Sequence, residues 1–232
     1  VVSMLLALGH HLPEILACQK KAEWLGDSGE RFIPRELRGS VVGIVGYGSI
    51  GREVARLLQP FGVTLLAAKR DAMQPEDKAY IPAGLGDAKG TLFTRLYPIE
   101  ALRSMLKLCD YVVVTLPLTP RTRGLIGKEA LKTMKSTAYI VDVSRGGVIN
   151  EEALVAALQE KRIAGAALDV FNQEPLPPKS PLWALPNVIL SPHISGSSVH
   201  YRERALALFQ ENLKLYLAGE ALHNRIDLVK GY

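Results

Sequence analysis

Three glycines and three charged side chains carry the chemistry this sequence could perform. The stretch VVGIVGYGSIG, residues 41–51, is an apolar run that ends in Gly46, Tyr47, Gly48, Ser49, Ile50 and Gly51. Glycines in this spacing, between a strand and a helix, suit the pyrophosphate of a dinucleotide better than a tight turn alone. Gly46 makes the turn, Gly48 lets the backbone approach the pyrophosphate, and Gly51 lets the helix pack on the sheet. The helix start offers unpaired N–H groups and a partial positive charge. At the end of the next strand, where an acid would hold the ribose hydroxyls of NAD, stand Lys69 and Arg70. Two cations suit a ribose 2′-phosphate, so NADP is favoured over NAD. The other reading is a solvated basic pair, with Asp71 as a late substitute for the acid.

Further along, VDVSRGGVIN, AALDVFNQEPLPP and LSPHISG place Arg145, Glu174 and His193 in the loops after three strands. Ligands of an open parallel sheet gather outside such strand ends. Each residue alone reads as structural: a loop histidine, a surface arginine, a glutamate before proline. Their joint occurrence makes a candidate site. His10, His11, His200 and His223 lack that context, and the adjacent His10 and His11 point to different faces, which argues against a shared metal.

These residues need elements to hold them. Continuous apolar runs at 40–48, 63–69, 111–116, 137–144, 163–170 and 188–190 read as strands covered on both faces. Helical patterns at 49–61, 99–109, 127–134, 150–161 and about 200–218 separate or follow them, with Asn150 as an N-cap and Gly219 as a stop. Alternation of this kind predicts an α/β fold, a doubly wound parallel sheet of Rossmann type. Residues 71–97, with their prolines and glycines, read as an extended surface loop, and 171–187 as a stiff proline-rich support.

The motifs LPLTPRTRGLIGKEALKTMK, SRGGVINEEALVAAL, ALDVFNQEPLP and PHISG together resemble the D-isomer-specific 2-hydroxyacid dehydrogenases. That family includes glyoxylate and hydroxypyruvate reductases, phosphoglycerate dehydrogenase and, by fold, C-terminal-binding corepressors. The resemblance implies hydride transfer between NADP or NAD and a small 2-oxo or 2-hydroxy acid. It implies that Arg145 binds the substrate carboxylate and keto oxygen through its planar fork. His193 would protonate the carbonyl oxygen, and Glu174 would pair with His193 and keep the imidazolium available. It further assigns Asp169 to the nicotinamide carboxamide and Leu116 and Pro117 to the adenosine and ribose, with Val143, Ser144, His193 and Ser195 also against the cofactor. A dinucleotide-sensing binding protein of the same fold is the second reading. The resemblance implies domains at 1–199, for the nucleotide with an opening crossover helix, and at 200–232, a helix and tail returning to a substrate-side domain. The first part of that domain is expected to lie outside these residues, leaving the chain inactive alone and its last helix with exposed apolar side chains. A homodimer through the opening helix is expected.

Composition bounds the alternatives. The chain has 232 residues, 48% hydrophobic and 22% charged, with a net charge of +5 spread along its length. Only 6% are aromatic and no base-stacking motif appears, so nucleic-acid binding is not expected. Cys18 and Cys109 read as two buried, reduced thiols. Val1, Leu5, Leu8, Leu12, Ile15 and Leu16 recur at helical spacing and predict one opening helix. That helix is too short to span a bilayer and carries no leader signature, so no membrane partner and a cytoplasmic location are expected.

Overall fold

The computed structural model describes residues 1–24, 32–77 and 79–227. Among them runs a seven-stranded sheet in the order β3-β2-β1-β4-β5-β6-β7, every neighbouring pair parallel. The strands are β1 (Val41–Val45), β2 (Thr64–Lys69), β3 (Arg95–Pro98), β4 (Tyr111–Val114), β5 (Tyr139–Asp142), β6 (Gly165–Leu168) and β7 (Val188–Leu190). The chain moves outward from β1 to β3, then returns across β1 to β4. The switch point of the doubly wound sheet therefore lies between β1 and β4, where a crevice opens at the strand ends.

Successive side chains of a strand point to opposite faces, and both faces are packed here. Val42, Ile44, Tyr111, Val113, Tyr139, Val141 and Ala167 meet α1 (Val2–Gly9) and α3 (Ser49–Leu58) on one side. Val45, Val112, Val114, Ile140, Ala166 and Leu168 meet α4 (Leu102–Leu106), α5 (Lys128–Thr133) and α6 (Glu151–Gln159) on the other. Gly43, in the middle of β1, lies directly under Cys109 Sγ and Met105, so a methyl group there would push the covering helix away. Asn150 caps α6 as its sequence predicts, its Oδ1 accepting from Ala153 N at 2.8 Å.

Three expectations need correction. The opening pattern forms two helices, α1 and α2 (Leu12–Lys20), broken at His11, whose φ is +52°. Pro13 cannot donate to the Gly9 carbonyl and its ring would crowd it, so the helix cannot run through. That carbonyl accepts from Arg35 N instead, at 2.9 Å. Residues 71–97 are not simply an extended surface loop: they end in edge strand β3 and include the buried Asp87. Cys18 is only partly buried, whereas Cys109 is fully so, and burial pushes its thiol up to about 12. The Tyr47 side chain, in the middle of the glycine loop, lies in the core, as detailed below.

The last helix, α7 (Tyr201–Leu217), exposes Leu206, Phe209, Leu213, Tyr216 and Leu217, in keeping with the expected apolar face. Residues 228–232 of the tail lie outside the described residues. No helix of the described residues is long and apolar enough to cross a membrane.

Candidate functional site

The glycine loop is built as its spacing requires. Gly46 has a φ of +103°, a left-handed conformation that favours glycine. Its N–H donates to Ala68 O at 3.0 Å, and its carbonyl accepts from Thr115 Oγ1 at 2.6 Å, which ties the loop across the switch point to the end of β4. Thr115 was not singled out in the sequence, because a threonine after a strand carries no signal of its own. Gly51 packs so close to the Gly46 carbonyl and Ile44 that no side chain fits. Gly48 is the opposite case: nothing lies within 4 Å of where its Cβ would be. Gly48, Ser49 and Ile50 are exposed, and the first turn of α3 has neither a capping side chain nor an acidic residue. Its N–H groups are left to a ligand, and an anion suits them. Leu116 lies against Gly46, with Pro117 beside it, both half-buried.

Tyr47 faces away from this space. Its hydroxyl donates to Asp87 Oδ2 at 2.7 Å, and burial, then that bond, push its phenol far up. Its ring meets Phe93 edge-on and lies 4.8 Å from the Arg52 guanidinium. Arg52 is completely buried, an outcome its place in a polar-looking helix face did not signal. It donates to Asp87 O and, at 2.6 Å, to Pro75 O, and its Nε lies 3.1 Å from Asp77 Oδ2. Lys69 ends β2 half-buried, and its Nζ donates to Gln74 O at 2.7 Å and Glu76 O at 3.2 Å. Arg70 is exposed beside it.

The charged trio converges on the other half of the same edge. His193 Nδ1 lies 2.7 Å from Glu174 Oε2, and Glu174 Oε1 accepts from Phe171 N at 3.0 Å. The His193 bond, helped by the Phe171 amide, holds the Glu174 carboxyl below its ordinary range. His193 has a φ of +53°, a strained conformation for a residue with a side chain. Asp169, buried at the end of β6, fixes that turn. It accepts from Ser191 Oγ at 2.5 Å, Ile194 N at 3.0 Å and Ser195 N at 2.8 Å. Burial opposes its charge, but these bonds outweigh it and hold the carboxyl below its ordinary range. Arg145 is exposed, with Nη1 donating to Ser144 O at 2.7 Å.

Ser144 is not presented to the crevice by its side chain. Its Oγ and N–H donate to Asp142 Oδ1, at 2.5 and 2.9 Å, and so shape the turn that carries Arg145. Burial, partly offset by the Ser144 bonds, raises Asp142 to about 6. Ile50, Val143, Arg145, Asp169, His193 and Ser195 line one open cavity of about 660 Å³. Arg202 and Tyr201 of α7 complete it and were not foreseen, since a helix start rich in charge reads as solvated.

A glycine-loop crevice at the switch point of a parallel sheet, continuous with a cluster of Arg, Glu and His, defines a dinucleotide-binding domain. Residues 2–195 match the model of the D-isomer specific 2-hydroxyacid dehydrogenase, NAD binding domain, and the chain belongs to that family. It is 34% identical over 227 residues to a D-3-phosphoglycerate dehydrogenase of Methanocaldococcus jannaschii, covering 98% of this chain and 40% of that protein. It is 37% identical over 227 residues to a mouse glyoxylate reductase/hydroxypyruvate reductase, covering 98% of this chain and 65% of that one. The chain thus spans less than two-thirds of the length of either relative. Among solved structures, a D-isomer specific 2-hydroxyacid dehydrogenase of Xanthobacter autotrophicus Py2 in complex with NADPH and MES superposes with a TM-score of 0.81 at 33% identity. That match covers 100% of this chain and 86% of that one.

Proposed function

We propose that this chain forms the nucleotide-binding and proton-donating part of an NADP-preferring oxidoreductase that interconverts a small 2-oxo acid and its 2-hydroxy acid. The observation that carries the reading is His193, paired with Glu174 at 2.7 Å and lining the same cavity as Arg145 and Ile50 of the glycine loop. The open space over Gly48 and the uncapped first turn of α3 fit a pyrophosphate. Bound there, the nicotinamide cofactor supplies or accepts the hydride.

The chain's own residues do the rest. Glu174 takes the Nδ1 side of the imidazole, which leaves Nε2 to give a proton to the substrate's carbonyl oxygen and to recover it in the reverse direction. The carboxylate fixes the orientation of the ring through that contact. Arg145 has one of its five donors committed to Ser144 O, and the remainder can grip a carboxylate and the neighbouring oxygen. Asp169 holds the turn that presents His193, and keeps lone-pair capacity for an amide. Lys69 and Arg70, at the end of β2, suit the 2′-phosphate of NADP.

The relatives bear names of reductases and dehydrogenases, which favours an enzyme over a corepressor-like binding protein. The exposed Leu12, Ile15 and Leu16 of α2 suit a second copy of the chain, so a homodimer is expected by sedimentation. The central test is fluorescence titration of the chain with NADPH and NADH, followed by turnover assays with glyoxylate, hydroxypyruvate, pyruvate and phosphohydroxypyruvate on a protein that joins these residues to a substrate-side domain. NADPH should bind more tightly than NADH, and the joined protein should reduce one of these acids. Failure to bind either nucleotide would remove the reading.

A further inference from the structure

The long segment between β2 and β3 is fastened by side chains of the glycine loop and of α3. Tyr47 holds the Asp87 carboxylate, Arg52 holds the Asp87 and Pro75 carbonyls and Asp77, and Glu53 Oε2 accepts from Gly86 N at 2.7 Å. Asp87 in turn accepts from Thr91 N at 3.0 Å and Leu92 N at 3.1 Å. Arg52 sits at the centre with no exposed surface. Burying a guanidinium costs free energy, and an apolar side chain would cover the same helix face at less cost. What an apolar residue could not do is hold irregular backbone in place.

The held backbone has a particular pattern. Three consecutive carbonyls are divided between two cations: those of Gln74 and Glu76 accept from Lys69 Nζ, and that of Pro75, between them, accepts from Arg52. Two of the three hydrogens of the Lys69 ammonium are thereby directed, which leaves one for a ligand. Burial first, and then the Arg52 charge, lower the Lys69 pKa, so the two cations lie within each other's field. Lys69 follows Ala68, whose carbonyl accepts from Gly46 N, so the ammonium is tied by one residue to the glycine loop.

We propose that Arg52 is a positioning residue for dinucleotide selectivity: by holding the Pro75 carbonyl and Asp77 it fixes the Gln74–Glu76 backbone, which aims the Lys69 ammonium at the 2′-phosphate of NADPH. The inference rests on the reading of the crevice as a dinucleotide site. It assigns Arg52 an effect on NADPH that NADH does not feel, although Arg52 touches neither.

The experiment is a double-mutant cycle on the full chain, with Arg52→Met, Lys69→Met and the pair. Dissociation constants for NADPH and NADH are read from nicotinamide fluorescence, and folding is checked by circular dichroism. A lost charge-assisted contact should weaken NADPH about tenfold to a hundredfold in each single variant, with NADH nearly unaffected. The double variant should be no weaker than Lys69→Met, because Arg52 acts through Lys69. Should Arg52→Met fail to fold, Asp77→Ala takes its place in the same cycle, with the same selective, non-additive loss expected. Equal losses for both nucleotides, or additive losses in the pair, overturn the proposal in either version. Equal affinity of the unaltered chain for NADPH and NADH overturns it while leaving the dinucleotide site standing. Binding of neither removes both.

Discussion

Replacing Asp142 by asparagine should make the chain more stable at neutral pH and flatten its dependence on acidity. Asp142 is 3% exposed at the end of β5, and burial lifts its carboxyl from an ordinary 3.8 to about 6. The folded chain therefore binds this proton more tightly than the unfolded chain does. Between about pH 4 and pH 6, stability must fall as pH rises, because the folded state gives up a proton it holds better. Each tenfold change in proton affinity is worth about 1.4 kcal/mol, so the charged carboxylate costs the folded state about 3 kcal/mol above pH 6. Asparagine keeps an oxygen for the Ser144 amide and hydroxyl but carries no charge. The pKa of about 6 already includes what those bonds give the charged form. Asp142→Asn should thus gain about 3 kcal/mol at pH 7 and close to nothing at pH 4. Urea unfolding of both proteins across this range, read by circular dichroism, measures the difference directly. A variant less stable than its parent at pH 7, or a difference that does not shrink toward pH 4, would refute the reasoning. Asp169, held low by its hydrogen bonds, works in the other direction. Its contribution is present above its unfolded pKa and is lost as pH falls through the lower folded value, so a separate acid limb should persist in the variant.

The remaining expectations concern the crevice. In a protein that joins these residues to a substrate-side domain, His193→Ala should lower turnover by about a hundredfold to ten-thousandfold while leaving NADPH affinity close to the parent's. In the same protein Glu174→Gln should lower turnover with NADPH affinity kept, because the imidazole loses the charged partner that holds its Nδ1 side; unchanged turnover removes Glu174 from its role. Gly48→Val should abolish nucleotide binding by filling the open space beside α3, with a melting temperature near the parent's, since no atom of the chain lies within 4 Å of the new Cβ.

Much of the architecture was readable because it rests on local and repetitive physics. A sheet covered on both faces demands uninterrupted apolar strands, and six of the seven strands are written that way in the sequence. The glycine spacing is legible for the same reason: each position answers a steric demand within a few residues. Arg145, Glu174 and His193 were visible because strand ends are where such a fold gathers ligands. Edge strand β3 was not, since it pairs along one side only and its four residues include Arg95 and Pro98, which break any apolar run. Arg52 and Asp87 were missed because their pairing spans thirty-five positions and a buried charge looks like a surface one until its partners are known. The destination of the Tyr47 side chain is hidden for a related reason. Its backbone belongs to the phosphate loop, and only the folded segment between β2 and β3 reveals where its hydroxyl goes.

The order of the strands also sets an order of opening. β1 and β4, in the middle of the sheet, are almost wholly buried, whereas β7 forms an edge with all three residues half-buried. Amides of the central pair should exchange with solvent only when the whole domain unfolds, and those around β7 through cheaper, partial excursions. The turn carrying His193 follows that fraying edge and is latched by Asp169. The crevice would then be framed by one shore anchored to the inner strands, the glycine loop, and another that breathes. A ligand spanning both would lend the inner strands' protection to the outer ones, and deuterium uptake at residues 188–195 should slow on adding NADPH by the free energy with which it binds.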